Sequence, residues 1–457
     1  MTEMDPTPKS CDILVAGAVV ITGTGDVHGD GAVAIDRDRI VAVGPTQEIE
    51  RRYVPKHRLG ARGRIAMPGF VNTHNHTPLM IVRGMVEDLG FAPAYTPGIP
   101  QGHWLSDEET YLLARLGAWE LLRFGSTTVV DYYRRPEACA RALAESGLRA
   151  FVGGRIHDAD TAALAEGRWV YDRRIGEESL RESQDLIARW DGAADGRIRC
   201  FHAPHAPDTC SRDLLAEVAR LAAADGRPVH THLCQSAAEV ACVRSRDGLS
   251  PVELLDELGL LGPNLVAAHC IFMDEAEIAR AGATGVRVAH APVGNAAAGH
   301  IAPIAALAAA GATITICTDT KTADMFEAMR TALALARIRG GGYAIKAADV
   351  LAWATSEGAS AVGMPGELGI LAPGAKADLI LLDADLPNLR PVVDGVGIVV
   401  HSACGPVVTT VIVDGRIIMD EGRPLLFDAE EVVRAAQSVA NRLWARAGRK
   451  TVLDAVN

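Results

Sequence analysis

Short apolar runs broken by Gly and Asp mark both ends of the chain. Over residues 11–66 these runs alternate with turn residues every few positions, which predicts short strands joined by tight turns. The same texture returns over 374–420, where Asp414 and Gly415 form a typical turn pair. We therefore predict one small β-sandwich domain built from both termini. Apolar residues at helical spacing predict a final amphipathic helix over about 428–447.

The middle of the chain follows a different pattern, in which apolar strands alternate with alanine-rich helical stretches. Repeated β–α units over about 300 residues predict a (β/α)8 TIM-like barrel, so the fold class is α/β. The predicted boundaries are 1–66 and 374–457 for the sandwich domain and 67–373 for the barrel. After a first strand that ends near residue 73, the predicted barrel strands are 127–131, 149–153, 197–201, 228–232, 264–269, 285–290 and 313–319.

Composition and charge limit the classes of partner. Hydrophobic residues make up 49% of the chain, enough for a substantial core, and the net charge is −12. An acidic surface repels polyanions, which predicts that neither nucleic acid nor an anionic membrane is a partner. No apolar run approaches the ~18 residues of a membrane span, and residues 1–9 are too polar for a signal peptide. Nine cysteines without a Cys-x-x-Cys pair predict reduced thiols in a cytoplasmic protein.

Histidines and one aspartate follow several of the apolar runs. His74 and His76 end the run 65–73, and in a strand residues i and i+2 point to the same side, so both imidazoles can reach one metal ion. The carboxyl ends of all strands in a barrel meet at one face, which would bring later strand-end groups to the same place. Those later groups are His205, His232, His269, His290 and Asp319.

Each of these residues also has an ordinary structural interpretation. A lone histidine at a strand end is usually a hydrogen-bonded structural residue, and an aspartate there is usually a helix N-cap. The joint pattern favours chemistry at His74, His76, His232, His269 and Asp319. We expect structural roles for His202, His230 and His300, and the pattern leaves His103 and His157 undecided.

Several segments resemble the amidohydrolase superfamily, and specifically its aminohydrolase branch. Segment 67–76 resembles the superfamily's opening motif, and 373–379 resembles the return into its β domain. The branch contains S-adenosylhomocysteine/methylthioadenosine deaminases, guanine and cytosine deaminases, and triazine hydrolases. The segments that resemble this branch are 203–211, 269–270, 291–295, 318–319 and 324–330.

The resemblance implies a cofactor and a role for each strand-end residue. One divalent metal, usually zinc and sometimes iron, would be held by four ligands. His269 would lie beside the metal-bound water, and His205 and His290 would contact the substrate. The implied metal ligands are His74, His76, His232 and Asp319. This ligand set agrees with the preferences of Zn²⁺ or Fe²⁺, and Asp319 could carry a proton from water to a leaving amine.

Lysine usage limits the number of metal ions. The chain has six lysines, and none lies between Lys56 and Lys321. Two-metal members of the superfamily bridge their ions through a carboxylated lysine on a barrel strand. The lysine gap therefore excludes a lysine-bridged pair and favours a single ion.

The chain departs from the deaminase pattern at Gln235. Deaminases carry a glutamate at this position, which protonates a ring nitrogen of the substrate. Glutamine can contact the substrate and the catalytic groups through hydrogen bonds, but it cannot transfer a proton. Loss of an acid–base step typically costs about 10²–10⁴-fold in rate. Glu239 is close in sequence, but one helical turn further on it is expected to point elsewhere.

Two segments bear on the substrate. The loop between Asp319 and Asp324 is shorter than in nucleoside deaminases, and segment 91–104 lacks the acidic residue that grips the ribose in those enzymes. These departures favour a smaller heterocycle or an amide-like compound over an adenosine-type substrate.

We therefore predict a mononuclear metal-dependent hydrolase that attacks an sp² carbon of a small nitrogen heterocycle with metal-bound hydroxide. It would release ammonia, an amine or another leaving group. One alternative is a hydrolase of amide, lactam or carbamate C–N bonds, which needs no ring-protonating glutamate. Another is a catalytically silent barrel. The resemblance also implies a homodimer or a larger homo-oligomer.

Overall fold

The computed structural model describes residues 8–89, 98–100 and 104–453, and their fold is mixed α/β as predicted. The strands are β1 (Lys9–Ile21), β2 (Val27–Asp36), β3 (Arg39–Pro45), β4 (Tyr53–Gly60), β5 (Arg64–Pro68), β6 (Phe70–Asn75), β7 (Ser126–Tyr133), β8 (Arg149–Ile156), β9 (Ile198–Cys200), β10 (Ala203–Pro204), β11 (Val229–Leu233), β12 (Leu265–His269), β13 (Arg287–His290), β14 (Thr313–Ile316), β15 (Leu379–Asp383), β16 (Val408–Val413), β17 (Arg416–Asp420) and β18 (Arg423–Pro424).

Helices connect the strands of the middle region and flank the terminal sheet. They are α1 (Thr46–Arg52), α2 (Asp107–Arg123), α3 (Pro136–Ser146), α4 (Thr161–Ala165), α5 (Arg173–Trp190), α6 (Arg212–Asp225), α7 (Ala237–Asp247), α8 (Pro251–Glu257), α9 (Glu275–Ala283), α10 (Pro292–Ala297), α11 (Ile304–Ala309), α12 (Met325–Ala336), α13 (Ala347–Trp353), α14 (Ser356–Ala361), α15 (Gly395–Ser402) and α16 (Ala429–Arg446). Short 3₁₀ turns lie at Thr77–Val82, Glu87–Leu89, Pro387–Leu389 and Gly405–Val407, and a π turn lies at Arg337–Gly341.

Strands from both ends of the chain form one nine-stranded sheet. Its order is β18-β17-β16-β15-β5-β1-β2-β3, with β4 paired to β1. Because side chains alternate along a strand, β1 supplies Ile13 and Val15 to one apolar cluster and Leu14 and Ala16 to another. The predicted joining of both termini in one β structure is therefore confirmed. Its description as a two-layer sandwich and the domain boundaries stay predictions.

Parallel strands of the middle region form a ring. One sheet holds β6 to β10 and a second holds β11 to β14. Parallel bridges join the two sheets at both seams, between His202 and Val229 and between Asn75 and Asp319. With β9 and β10 taken as one interrupted strand, eight strands surround the core, which is the strand arrangement of a (β/α)8 barrel. One predicted strand is shorter than expected: β14 ends at Ile316, before Asp319.

Local sequence signals account for the helix ends. Ser106 and Glu109 form a reciprocal capping box at the start of α2. Asp428 caps α16, so the predicted terminal helix is confirmed nearly to the residue. Helix α16 buries Leu443 and Trp444, and the Trp444 indole donates to the Ile81 carbonyl at 2.9 Å. The terminal helix thus packs against the segment that follows β6.

Two expectations about the protein's chemical setting can be compared with the structure. All nine cysteines are unpaired in the structure, and the predicted reduced state stays a prediction. Within the described ranges, no helix combines the length and the apolar character that a bilayer span requires.

A buried ion cluster connects the barrel to the terminal sheet. The Arg149 guanidinium, at the start of β8, donates to the Asp378 carboxylate at 2.8 and 3.2 Å and to Asp414 at 2.7 Å. The side chains of Arg149 and Asp378 are only 4% and 2% exposed. The two carboxylates raise the pKa of Arg149 against the opposing effect of burial. Loss of the arginine would leave the buried Asp378 carboxylate without its cation, whereas Asp414 would keep Lys376 at 3.0 Å.

We expect Arg149→Met to lower the free energy of unfolding by about 3–5 kcal/mol, because breaking a buried pair leaves uncompensated charge. Urea unfolding followed by circular dichroism measures the change. The matched control is Arg189→Met, whose partner Glu137 forms an exposed pair that should contribute about 1 kcal/mol or less. Equal effects of the two substitutions would contradict the importance of the buried cluster.

Candidate metal centre

The carboxyl ends of the barrel strands bring the predicted ligands together. His74 lies in β6 and His76 directly follows it, while His232 lies in β11. Asp319 follows β14 across the seam from β6. The ligand atoms of His74, His76 and His232 all lie within 4.8 Å of one another, and so do those of His74, His269 and Asp319. The two groups share His74, so they form one cluster.

The distances in this cluster fit a single ion. Asp319 Oδ1 lies 3.4 Å from His74 Nε2 and 3.6 Å from His76 Nε2, and His76 Nε2 lies 3.4 Å from His232 Nε2. Ligand atoms about 2.1 Å from one tetrahedral zinc ion lie about 3.4 Å apart. His74 Nε2 is buried and has no hydrogen-bond partner in the described part of the chain. An unpaired buried nitrogen is costly, and a cation at the centre of the cluster would satisfy it.

The far side of each imidazole ring is held by a hydrogen bond. His76 Nδ1 lies 2.6 Å from the Tyr132 carbonyl, and His232 Nδ1 lies 2.6 Å from the His205 carbonyl. Since a carbonyl only accepts, Nδ1 carries the proton in both rings and Nε2 keeps its lone pair. His74 Nδ1 lies 2.9 Å from His230 Nε2. The same tautomer of His74 would donate to His230 and leave its own Nε2 as a ligand.

Burial keeps these rings uncharged at neutral pH. Desolvation lowers the pKa of His74, His76 and His232, and the neighbouring histidines lower the pKa of His74 and His232 further. Asp319 opposes this effect at His76, although burial outweighs it. Neutral imidazoles are the form that binds a metal ion.

The barrel seam fixes the position of Asp319. Its backbone is left-handed, with φ +62°, and its N–H donates to the His74 carbonyl at 3.0 Å while its carbonyl accepts from the His76 N–H at 3.0 Å. The Thr318 hydroxyl accepts from the side-chain amides of Asn72 and Asn75 at 2.7 and 2.9 Å. Asn72, just before the histidine pair, and Asn75, between the two histidines, therefore hold the residue next to Asp319.

His269 contacts the glutamine that replaces the deaminase glutamate. His269 Nδ1 lies 2.9 Å from Asn295 Oδ1, so the amide oxygen accepts the Nδ1 proton. Gln235 Nε2 lies 3.0 Å from His269 Nε2 and donates to its lone pair. The left-handed φ of +75° at His269 turns the chain at the end of β12. Gln235 thus stabilises one tautomer of His269 through an amide that does not titrate.

Glu239 does not take the place of the missing glutamate. Its carboxylate accepts from the backbone N–H groups of Cys234 and Gln235, both at 2.7 Å. Burial raises the pKa of this carboxyl, and nearby Asp208 raises it further. Glu239 therefore supports the backbone turn that carries Gln235, in agreement with the prediction that its side chain points elsewhere.

The remaining histidines divide into two groups. His205 lies beside the cluster, with its ring centroid 4.6 Å from that of His232, and His290 is buried at the end of β13 close enough to His269 to interact electrostatically. His202 pairs with Asp225 at 2.9 Å, which confirms its structural role. His300, which was also expected to be structural, packs on Phe272. His157, which the sequence left undecided, contacts Arg134.

His103 and most of segment 91–104 lie outside the described residues.

Sequence reasoning missed two residues of the site. His230 was expected to be only structural, yet it contacts His74 and stacks on its ring at 5.0 Å. Burial lowers the pKa of His230 to about 3. Its i, i+2 spacing from His232 repeats that of His74 and His76 and was the available signal. Arg155, buried in β8, lowers the pKa of His76 and His205, and nothing in its local sequence marked it.

The fold and the site together define an α/β-barrel protein with a candidate metal centre at the carboxyl ends of its strands. The model of the amidohydrolase family matches residues 65–418, and that of a bacterial imidazolonepropionase-like composite domain matches residues 31–53. The chain belongs to the amidohydrolase family, which confirms the predicted resemblance and the predicted class of enzyme.

Similar proteins extend over nearly the whole chain. A 5'-deoxyadenosine deaminase of Methanosarcina acetivorans is 34% identical over 95% of this chain and 99% of its own length. A 5-methylthioadenosine/S-adenosylhomocysteine deaminase of Moorella thermoacetica is 36% identical over 92% and 97%. The crystal structure of an adenosine deaminase from Xanthomonas campestris with bound zinc is 30% identical over 96% and 100%, with a TM-score of 0.88.

A buried carboxyl supports the backbone next to the ligands. Asp131, in β7, accepts from the Thr77 N–H at 2.7 Å and from the Thr77 hydroxyl at 3.0 Å. Burial raises the pKa of Asp131 to about 7, although these hydrogen bonds oppose the shift. The group therefore ionises in the folded protein far above the pH at which it ionises in the unfolded chain.

We expect the stability contributed at Asp131 to be full below about pH 4 and to be lost as the pH rises through about 7. Three pKa units correspond to at most about 4 kcal/mol. In Asp131→Asn this dependence should vanish, so the variant gains stability relative to wild type between pH 4 and 8. Urea unfolding at several pH values tests this. Exposed Asp195→Asn serves as the control, and parallel pH profiles of wild type and Asp131→Asn would contradict it.

Proposed function

We propose that the protein is a mononuclear metal-dependent hydrolase. His74, His76, His232 and Asp319 would hold one divalent ion. The observation that carries this proposal is the convergence of His74, His76, His232 and Asp319, in which three pairs of ligand atoms lie 3.4, 3.6 and 3.4 Å apart. This donor set suits zinc, with iron as the alternative. The zinc in the Xanthomonas campestris relative supports the first choice.

The residues around the ion would divide the work of hydrolysis. A divalent ion held there supplies a water that is activated near neutral pH and a Lewis acid that polarises the substrate. Asp319 lies against the ligands and within the group formed with His74 and His269. Its carboxylate would accept a proton from the attacking water and return it to the leaving group. His269 would lie beside the same water, and Asn295 and Gln235 fix its tautomer and orientation through its two ring nitrogens.

The leading reaction is hydrolytic displacement at an sp² carbon of a nitrogen heterocycle, with release of ammonia, an amine or another leaving group. The names of the relatives support this reaction and make adenosine derivatives the first compounds to test. The short loop between Asp319 and Asp324, and the missing acidic residue in segment 91–104, favour smaller rings. A panel must therefore include both.

Gln235 supports a second candidate function. An amide cannot protonate a ring nitrogen, and hydrolysis of an amide, lactam or carbamate does not require that step. In this case the ion and Asp319 suffice. The contact between Gln235 and His269 is equally compatible with this chemistry, because it orients His269 without moving a proton.

We expect about one equivalent of divalent metal per chain, with loss of metal in His76→Ala.

His230→Phe should weaken metal binding by about 10–100-fold, because it removes the hydrogen bond that orients His74. Competition with a chelator measures the affinity. His202→Phe is the matched control, since His202 and His230 are each 2% exposed but His202 pairs with Asp225 instead of a ligand. A wild-type protein that binds no divalent metal would exclude the proposal.

We expect Gln235→Glu to accelerate ammonia release by about 10²-fold or more from rings whose nitrogen must be protonated. Cleavage of amide-like compounds should not gain. The panel includes 5'-deoxyadenosine, cytosine, aminotriazines, lactams and carbamates, and exposed Gln47→Glu is the control. A wild type that cleaves only amide-like compounds would establish the second candidate. Metal-loaded protein that cleaves nothing in the panel would favour a silent barrel.

A further inference from the structure

A cavity lies at the opposite end of the barrel from the candidate metal centre. Its volume is about 410 Å³, and it is bordered by Gly147, just before β8, and by Arg197, just before β9. Residues of α2, α3, β16, β17 and the start of α16 form the other walls. The cavity therefore opens at the amino ends of the barrel strands, where the terminal sheet and the last helix meet the barrel.

Arg197 places a buried cation in this cavity. The residue is 7% exposed, and Nη1 donates to the Leu148 carbonyl at 2.9 Å. No carboxylate of the described residues lies within ion-pair distance of its guanidinium. Nε and Nη2 have no hydrogen-bond partner among those residues, and neither atom is fully enclosed. These two N–H groups are therefore open to the cavity.

A second arginine adds to the positive charge. Burial lowers the pKa of Arg197, and the charge of neighbouring Arg416 lowers it further, while Asp414 and Asp195 oppose the shift. Arg416 is 62% exposed, and its distance to Asp195 is 4.0 Å. Asp414 is already shared by Arg149 and Lys376, at 2.7 and 3.0 Å.

The other charges of the cavity lining have close partners. Arg115 pairs with Glu431 at 3.1 Å, and Glu145 pairs with Arg141 at 3.0 Å. Within the lining, Arg197 is therefore the charged side chain without an ion-pair partner among the described residues, and Arg416 has only a loose pair with Asp195 at 4.0 Å. A buried guanidinium without a carboxylate partner is costly unless an anion reaches it, and the nearby positive charge of Arg416 adds to that cost.

Most of the remaining lining is apolar. Val413 and Ile418 are buried, Phe427 is half-buried, and Leu426 is 47% exposed at the rim. A ligand that fills this space must combine an anionic group for the arginines with an apolar body for the wall. Guanidinium groups bind carboxylates through paired N–H bonds.

We propose that this cavity binds a small organic acid, in which a carboxylate contacts Arg197 and Arg416 and an apolar body packs on Ile418, Leu426 and Phe427. The site is separate from the candidate metal centre and does not depend on the proposed function.

The test is calorimetric titration of the full-length protein with octanoate. We expect saturable binding that is weakened by about tenfold or more in Arg197→Met and clearly weakened in Arg416→Met. Arg220→Met is the control, because Arg220 is an exposed residue on α6 paired with Glu217. Neutral octanamide and inorganic phosphate should both bind more weakly than octanoate, since each lacks one half of the recognised chemistry.

Absence of octanoate binding by wild type would overturn the proposal, and so would equal binding by wild type and both arginine variants. Phosphate binding as tight as octanoate would refute the role of the apolar wall. Circular dichroism checks the fold of each variant. If Arg197→Met fails to fold, the exposed Arg416 substitution decides the outcome alone.

Discussion

The site depends on how the ring of strands closes. The first and last barrel strands meet where the Asp319 backbone exchanges hydrogen bonds with His74 and His76. These three residues are also candidate ligands, so the bonds that close the ring set the distances within the cluster. Asn72 and Asn75 reinforce the seam through Thr318, about 240 residues away along the chain. Segment 72–76 thus supplies two candidate metal ligands and also the two asparagine side chains that hold the seam.

The three candidate ligand histidines all use Nδ1 for a hydrogen bond on the side of the ring away from the other ligands. The rings of His76 and His232 donate from Nδ1 to carbonyl oxygens, and His74 does the same to His230 when it presents Nε2 to an ion. Burial removes the competing charged form of these rings. The backbone carbonyls and His230 therefore choose the tautomer, and desolvation chooses the protonation state. Neither effect requires the ion, so the centre is organised in advance of binding.

Much of this arrangement was readable from sequence because it rests on short-range rules. Alternation placed His74 and His76 on one side of a strand, and strand ends located His232, His269 and Asp319. The last helix followed from its apolar spacing and the Asp428 cap. The spacing of His230 from His232 could have marked it as a site residue, but sequence could not reveal that its partner is His74. It also could not reveal that Arg149 joins Asp378, because the partners in these two pairs are 156 and 229 residues apart. Such pairings exist only once the ring has closed.

The amide at Gln235 can be converted into a carboxylate by a very small genetic change. Codons for glutamine and glutamate differ only in their first base, so one nucleotide separates this protein from a version with a carboxylate against His269. The hydrogen bond between Gln235 and His269 would survive that change if a single proton were shared between the two groups. The surrounding turn, held through Glu239 and the backbone, would not need to be rebuilt. A single nucleotide change could therefore add a proton-transferring group to the site without rebuilding the surrounding turn.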